Sequence, residues 1–215
     1  MDLYLIRHPA VATAPGLCYG SSDVGLRDAP AIGAALIAEK LAMLTGGASA
    51  ALRISTSPLM RCATVAKALT DRPCVDAHLR EIDFGRWEGV AWDAVPRDEI
   101  DAWAADIEHG RPHGGESVRM LADRTAYWLA QLDTPPVQAA GDSLVTQGAR
   151  AGRTAQIAPM TNVAITHAGV IRVMTAQALQ LPLLTCVNWP VDMAGICHLT
   201  RSDPASAWAL ARWNA

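Results

Sequence analysis

No apolar run in the 215-residue chain reaches the roughly 18 residues that a membrane-spanning helix needs, so no membrane partner is expected. The opening residues, MDLYLIRHP, have neither a basic n-region nor a long apolar stretch, so no secretion signal is expected. An excess of one charge sign is also missing. Lys and Arg number 18 against 21 Asp and Glu, a formal net charge of −3. That balance gives no global pull toward nucleic acid, so an anionic substrate must be held by a few placed arginines. The five cysteines, Cys18, Cys62, Cys74, Cys186 and Cys197, form no C-x-x-C pair and are odd in number. A disulfide framework and a Cys-ligated zinc site are both unexpected, and reduced thiols fit a cytoplasmic protein. No G-x-G-x-x-G or Walker-type loop follows the first strand-like segment, which argues against a doubly wound nucleotide-binding protein. No repeat and no domain boundary stands out.

What is present is a globular composition, 51% hydrophobic and 18% charged. The length suits one α/β domain spanning residues 1–215. Residues 3–6 form a short apolar run cut off by Arg7, His8 and Pro9, which predicts a buried strand. Residues 11–23 hold Pro15, Gly16 and Gly20 and predict a loop. Helical periodicity covers 30–44, with Gly46 and Gly47 as a stop. A second strand is expected at 52–55. Ser57 and Pro58 then read as N-cap and first helical residue of a helix over 59–69. Further strands are expected at 74–77, 162–166, 195–200 and 208–213, and helices at 92–107, 116–132 and 170–181. Residues 135–159 are rich in Gly, Ala and Gln and predict a long mobile loop. The alternation predicts a sheet covered by helices on both faces.

Two histidines occupy equivalent places. His8 follows Leu-Tyr-Leu-Ile-Arg and His167 follows Asn-Val-Ala-Ile-Thr, each at the end of an apolar strand. Ligands in open α/β sheets bind outside the carboxyl ends of strands, so parallel neighbours would bring both imidazoles to one crevice. Arg7 adjoins His8, and Arg61 lies in the first turn after Ser57-Pro58, where free N–H groups favour an anion. Guanidinium groups match phosphate oxygens two at a time. Two arginines, two histidines and a helix start therefore describe a phosphate pocket. A neutral His8 nitrogen attacks phosphorus to give a covalent intermediate. Arg7, Arg61 and His167 stabilise the transferring oxygens. Glu81 is the candidate to protonate the leaving group and then to activate water. Arginine and histidine supply the positive charge, so neither a metal nor another cofactor is expected. Each residue alone has a bland reading as a solvated or packed side chain; the joint placement at element ends is what carries weight.

These segments resemble the histidine phosphatase superfamily, which includes the cofactor-dependent phosphoglycerate mutases. Leu5-Ile6-Arg7-His8-Pro9 resembles its R-H-G opening, and SPLMRCAT at 57–64 its S-P-L-x-R segment. Residues 79–89, LREIDFGRWEG, resemble its acid-bearing stretch, and Thr166-His167-Ala168-Gly169 its T-H-G-G motif. The resemblance implies a three-layer α/β/α sandwich with a mostly parallel sheet, a phosphohistidine on His8, and Glu81 as proton donor. It implies that Arg7, Arg61, Tyr19, Gly20 and Ala168 contact substrate, with Glu88 as a competitor for the acid role. Pro9 and Ala168 depart from the usual glycines. Pro9 removes a backbone donor, and Ala168 is tolerable only at negative φ.

C-Y-G-x-x-D at 18–23, D-F-G-x-W-E-G at 83–89 and G-G-E-S at 114–117 resemble the alpha-ribazole phosphatase branch of bacterial cobalamin synthesis. The expected partner is a small phosphorylated metabolite, and a homodimer is compatible with this reading. Trp87, Trp92 and Trp103 read either as a wall for a larger organic group or as core. His109 and His113 are expected as solvated loop residues, and Cys62 as a small buried hydrophobe. The alternatives are a phosphoglycerate mutase, which would require a bisphosphoglycerate, and a non-catalytic phosphate-binding module of the same fold.

Overall fold

In the computed structural model, residues 1–47, 52–133 and 161–215 are described. The predicted loop at 135–159 lies outside the described residues. Six strands form one sheet: β1 (Asp2–Arg7), β2 (Leu52–Thr56), β3 (Cys74–Val75), β4 (Thr161–Thr166), β5 (Ile196–Thr200) and β6 (Ala209–Arg212). Their order is β3-β2-β4-β1-β5-β6. The β1–β4, β2–β4 and β2–β3 pairs are parallel, and β5 runs antiparallel to both β1 and β6.

Side-chain alternation along β1 divides the core. Leu3 and Leu5 pack on one face against helices α4 (Val118–Gln131) and α5 (Ala168–Ala178). Tyr4 and Ile6 pack on the other against α1 (Pro30–Leu44) and α2 (Met60–Leu69). Each strand residue thus serves the helix layer that its parity selects. The result is the expected three-layer α/β/α sandwich. Helix α3 (Arg97–Ala105) sits aside, in a smaller cluster with Cys18, Trp87 and Val95.

The structure corrects expectation at two helix boundaries and at one histidine. Helix α2 begins at Met60, so Ser57 is not its N-cap and Pro58 precedes it. The N-terminal amide of Met60 instead donates to Asp23 Oδ1 at 2.6 Å, a cap supplied by the loop 37 residues earlier. The helix expected over 92–107 breaks at Val95-Pro96 into a single 3-10 turn (Trp92–Ala94) and α3. A proline restricts the residue before it to extended backbone, and Val95 sits at φ −70°, ψ 133°. His113 is buried, not solvated: its ring packs on Trp87 at 4.9 Å, and Nδ1 accepts from Gly115 N–H at 3.0 Å.

Candidate active site

Parallel pairing of β1 with β4 sets Arg7 opposite Thr166, so the next residues, His8 and His167, emerge side by side. Their rings lie 5.3 Å apart, centroid to centroid, inclined at 60°. Both side chains are buried. The His8 Nδ1–H donates to the Pro9 carbonyl at 2.7 Å, which leaves Nε2 as the nitrogen with the free lone pair. Burial, reinforced by Arg61 and Arg7, pushes the His8 pKa down to about 3 against the opposing Pro9 hydrogen bond. The His8 ring is therefore held neutral at physiological pH.

His167 is held more tightly. Arg61 Nε–H donates to its Nδ1 at 3.2 Å, so the ring proton sits on Nε2 and faces Ser57 Oγ at 2.8 Å. Burial first, then Arg61 and His8, hold its pKa well below the ordinary histidine value. Cys62 packs against the same ring, with Sγ 3.6 Å from Nε2. Burial pushes that thiol up, so Cys62 is an inert hydrophobe.

A cavity of about 270 Å³ opens over His8. Arg7, Tyr19, Gly20, Glu81 and Ala168 line it, so five of the residues expected at the site share one space with His8. Arg61 and His167 are fully buried behind that lining. Three of the five Arg61 N–H groups are engaged, by His167, by the Ser22 carbonyl at 2.7 Å and by the Gly20 carbonyl at 2.6 Å. Its guanidinium also lies 5.1 Å from the Tyr19 ring centroid. Arg7 donates through Nη1 to the Val191 carbonyl at 2.6 Å, and its buried Nε has no acceptor among the described residues.

Glu81 stands at the start of α5. Its Oε2 accepts from Gly169 N–H at 3.1 Å and its Oε1 from Ile82 N–H at 3.0 Å. A carboxylate there is favoured by the helix dipole. A Cβ on Gly169 would collide with Glu81 Oε1 and lie 3.2 Å from Cδ, so any side chain there would displace the carboxylate. Ala168 sits inside α5 and takes no positive φ, so its replacement of glycine costs the backbone nothing.

Glu88, the rival for the acid role, does not line the cavity. Its Oε1 accepts from Ser21 N–H at 2.7 Å, Ser21 Oγ–H at 2.9 Å and Phe84 N–H at 3.0 Å, and its Oε2 from Ser22 Oγ–H. It ties the Tyr19–Gly20 loop to the acid-bearing stretch. Gly20 is needed because a Cβ would meet the Ile82 carbonyl at 2.5 Å.

Sequence reasoning missed Arg172, which also lines the cavity. Its Nε–H donates to the Trp189 carbonyl at 2.8 Å. The available signal was spacing: three residues after Gly169 on a helix opening at His167 falls on the same face. The tryptophans divide. Trp87 is core, Trp92 is exposed and lines the cavity, and Trp103 packs edge-on against Phe84 at 6.0 Å.

The histidine phosphatase superfamily (branch 1) matches residues 3–215, and the chain belongs to that family. Among curated proteins no sequence relative matches. Among solved structures, a mycobacterial glucosyl-3-phosphoglycerate phosphatase superposes with a TM-score of 0.77 at 25% identity, over 100% of this chain and 98% of that one. An alpha-ribazole phosphatase from Shigella flexneri gives 0.74 at 22% identity, over 100% and 96%. A phosphoserine phosphatase from Entamoeba histolytica, in complex with phosphoserine, gives 0.73 at 18% identity, again over 100% and 96%. The last two are similar in fold.

Proposed function

We propose that the protein is a metal-independent phosphomonoesterase of the histidine acid phosphatase type, working through a phosphohistidine on His8. The observation that carries this is a neutral His8 beside His167, with Arg7 and Glu81 on the walls of the same cavity. His8 Nε2 attacks phosphorus, and the ester oxygen leaves with the electron pair of the P–O bond. The Glu81 carboxylic acid gives that oxygen its proton, so the alcohol departs neutral. Water then attacks the phosphohistidine, Glu81 takes a proton back, and inorganic phosphate is released. Arg7 and Arg61 stabilise the equatorial oxygens during both transfers, with His167 holding Arg61 in place. The arginines provide the charge that a metal supplies in other phosphatases, so no step requires one.

The proposed substrate is alpha-ribazole phosphate, in bacterial cobalamin synthesis, in a cytoplasmic setting. The segments at 18–23, 83–89 and 114–117 support this, as does the likeness in fold to alpha-ribazole phosphatase. The cavity adds Leu17, Phe84 and Trp92, an apolar and aromatic wall suited to a substrate larger than a glycerate.

A phosphomonoester panel that includes alpha-ribazole phosphate tests the reading, assayed with chelator. His8→Ala is expected to lose phosphate release. Full activity in that variant, or a requirement for a divalent ion, would overturn the mechanism. Release of inorganic phosphate without bisphosphoglycerate excludes a mutase. Crystals soaked in vanadate are expected to hold the anion among Arg7, His8, Arg61 and His167.

A further inference from the structure

The peptide that carries Glu81 belongs to no helix or strand: one 3-10 turn ends at Leu79 and the next begins at Gly85. Its backbone groups must therefore find partners one by one. Arg124, on α4, donates through Nη1 to the His78 carbonyl at 2.7 Å and through Nη2 to the Glu81 carbonyl at 3.1 Å. The same guanidinium donates through Nε to Glu116 Oε1 at 2.7 Å and through Nη2 to Oε2 at 2.9 Å, a bidentate pair. Glu116 Oε2 in turn accepts from Asp83 N–H at 3.3 Å, and Glu116 N–H donates to the Asp83 carbonyl at 2.7 Å. The pair thus holds the chain on both sides of Ile82.

A polar cavity of about 250 Å³ also meets Glu81, with Arg80, Asp83, Glu116 and Arg124 on its walls. Among the described residues, Glu81 alone lines both this space and the one over His8. A carboxylate at such a boundary has two polar places to point, and only one reaches the leaving oxygen. We propose that Arg124 and Glu116 are positioning residues for the general acid: they fix the Glu81 backbone so that its carboxylate stays on the His8 side, against the Gly169 N–H. The proposal rests on the phosphatase reading and deepens it. Neither residue lines the cavity over His8, and Glu116 offsets the guanidinium charge, so the pair aims the acid without competing for the phosphate. Arginine suits this task because its planar fork meets two carbonyls and a carboxylate at once, whereas a lysine ammonium is a single point on a flexible stem.

Arg124→Ala and Arg124→Lys test the proposal in single-turnover assays of propanol release from propyl phosphate and phenolate release from p-nitrophenyl phosphate. Arg124→Ala is expected to slow propanol release on the order of 10²-fold, the cost of misplacing a reacting group by about 1 Å. Phenolate release should slow about threefold or less, because that group leaves without a proton. Arg124→Lys should fall between wild type and alanine, and it serves alone if the alanine variant does not fold. Hydrogen exchange, followed without substrate, reads the clamp independently of turnover. The Ile82 and Gly169 amides donate to the Glu81 carboxylate; their exchange should quicken about tenfold in the variants while the β1 and β4 amides stay protected. Equal slowing of the two esters, or exchange unmoved at those two amides, overturns the proposal. Selective quickening in a protein whose wild type turns over no ester would keep the clamp on Glu81 and sink the phosphatase reading.

Discussion

Gly169→Ala isolates the proton donor from the rest of the site. Gly169 lies in the first turn of α5 without a positive φ, so alanine fits the backbone there. Helix propensity even favours it by about 1 kcal/mol. The new methyl, however, would overlap Glu81 Oε1, stand 3.2 Å from Cδ and 3.5 Å from Oε2. Ordinary contact distances require the carboxylate to retreat by roughly 1 Å. A displacement of that size at a reacting group costs on the order of 10²-fold in rate. His8, Arg7, Arg61 and His167 are untouched, so the loss should depend on how much the leaving group needs a proton. With an alkyl phosphate, the first phosphoryl transfer should slow about 10²-fold; with p-nitrophenyl phosphate, whose phenolate leaves unassisted, that transfer should change about threefold or less, the later water attack being slowed alike for both. Single-turnover assays of alcohol and phenolate release read both numbers, and thermal unfolding confirms an unweakened fold. Equal losses for the two esters, or full activity on the alkyl ester, would refute Glu81 as the acid held by this contact.

The remaining expectations concern the supports of the site. Glu88→Ala orphans donors from Ser21, Ser22 and Phe84; it should raise KM more than it lowers kcat and cut stability by about 1–3 kcal/mol, with Glu88→Gln recovering part of both. Asp23→Ala removes the Met60 cap, costing about 1 kcal/mol and lowering Tm by about 2–4 °C in a scanning calorimeter; an unchanged Tm would show the cap to be idle. His8 and His167 are held neutral below the ordinary value of 6.5. The unfolded chain therefore binds more protons than the folded one below that pH, and stability falls as pH drops from about 6.5 toward the His8 value of about 3. His8→Asn should make Tm decline less steeply over that window; parallel slopes would count against buried neutral imidazoles.

The framework was legible where a local pattern coincides with a packing demand. The apolar run ending at Arg7-His8, the helix at Pro30–Leu44 and the pairing of the two histidines all follow from periodicity and from where strands end. Features set by distant partners were not legible. Ser57 looks like a cap beside its own helix, yet its hydroxyl faces His167 and the cap comes from Asp23. His113 sits in a Gly-rich turn that reads as solvated, and only the folded chain brings Trp87 and Phe84 against it. Glu88 and Glu81 are both acids in one short stretch. Their surroundings separate because Glu88 is held by four donors and does not line the cavity, while Glu81 meets the α5 terminus on its wall. No pattern in the sequence encodes that difference.

The arginines at the cavity are held differently from most of those elsewhere. Arg86, Arg119, Arg124 and Arg201 pair with carboxylates of Glu99, Glu108, Glu116 and Asp133. A carboxylate fixes a guanidinium but cancels its charge. Arg7, Arg61 and Arg172 are instead fixed by backbone carbonyls, from Val191, from Gly20 and Ser22, and from Trp189. A carbonyl dipole aims the side chain and leaves a full positive charge for an incoming anion. Desolvating such charges is unfavourable, and burial lowers the pKa of Arg61 and Arg172 accordingly. On the proposed reaction, a phosphoryl dianion would relieve that cost on binding, and relieve it further as charge builds on the equatorial oxygens. The two imidazoles must then stay neutral, since a protonated His8 could not attack and a protonated His167 would add repulsion. Burial of both rings beside the arginines achieves this with no further group.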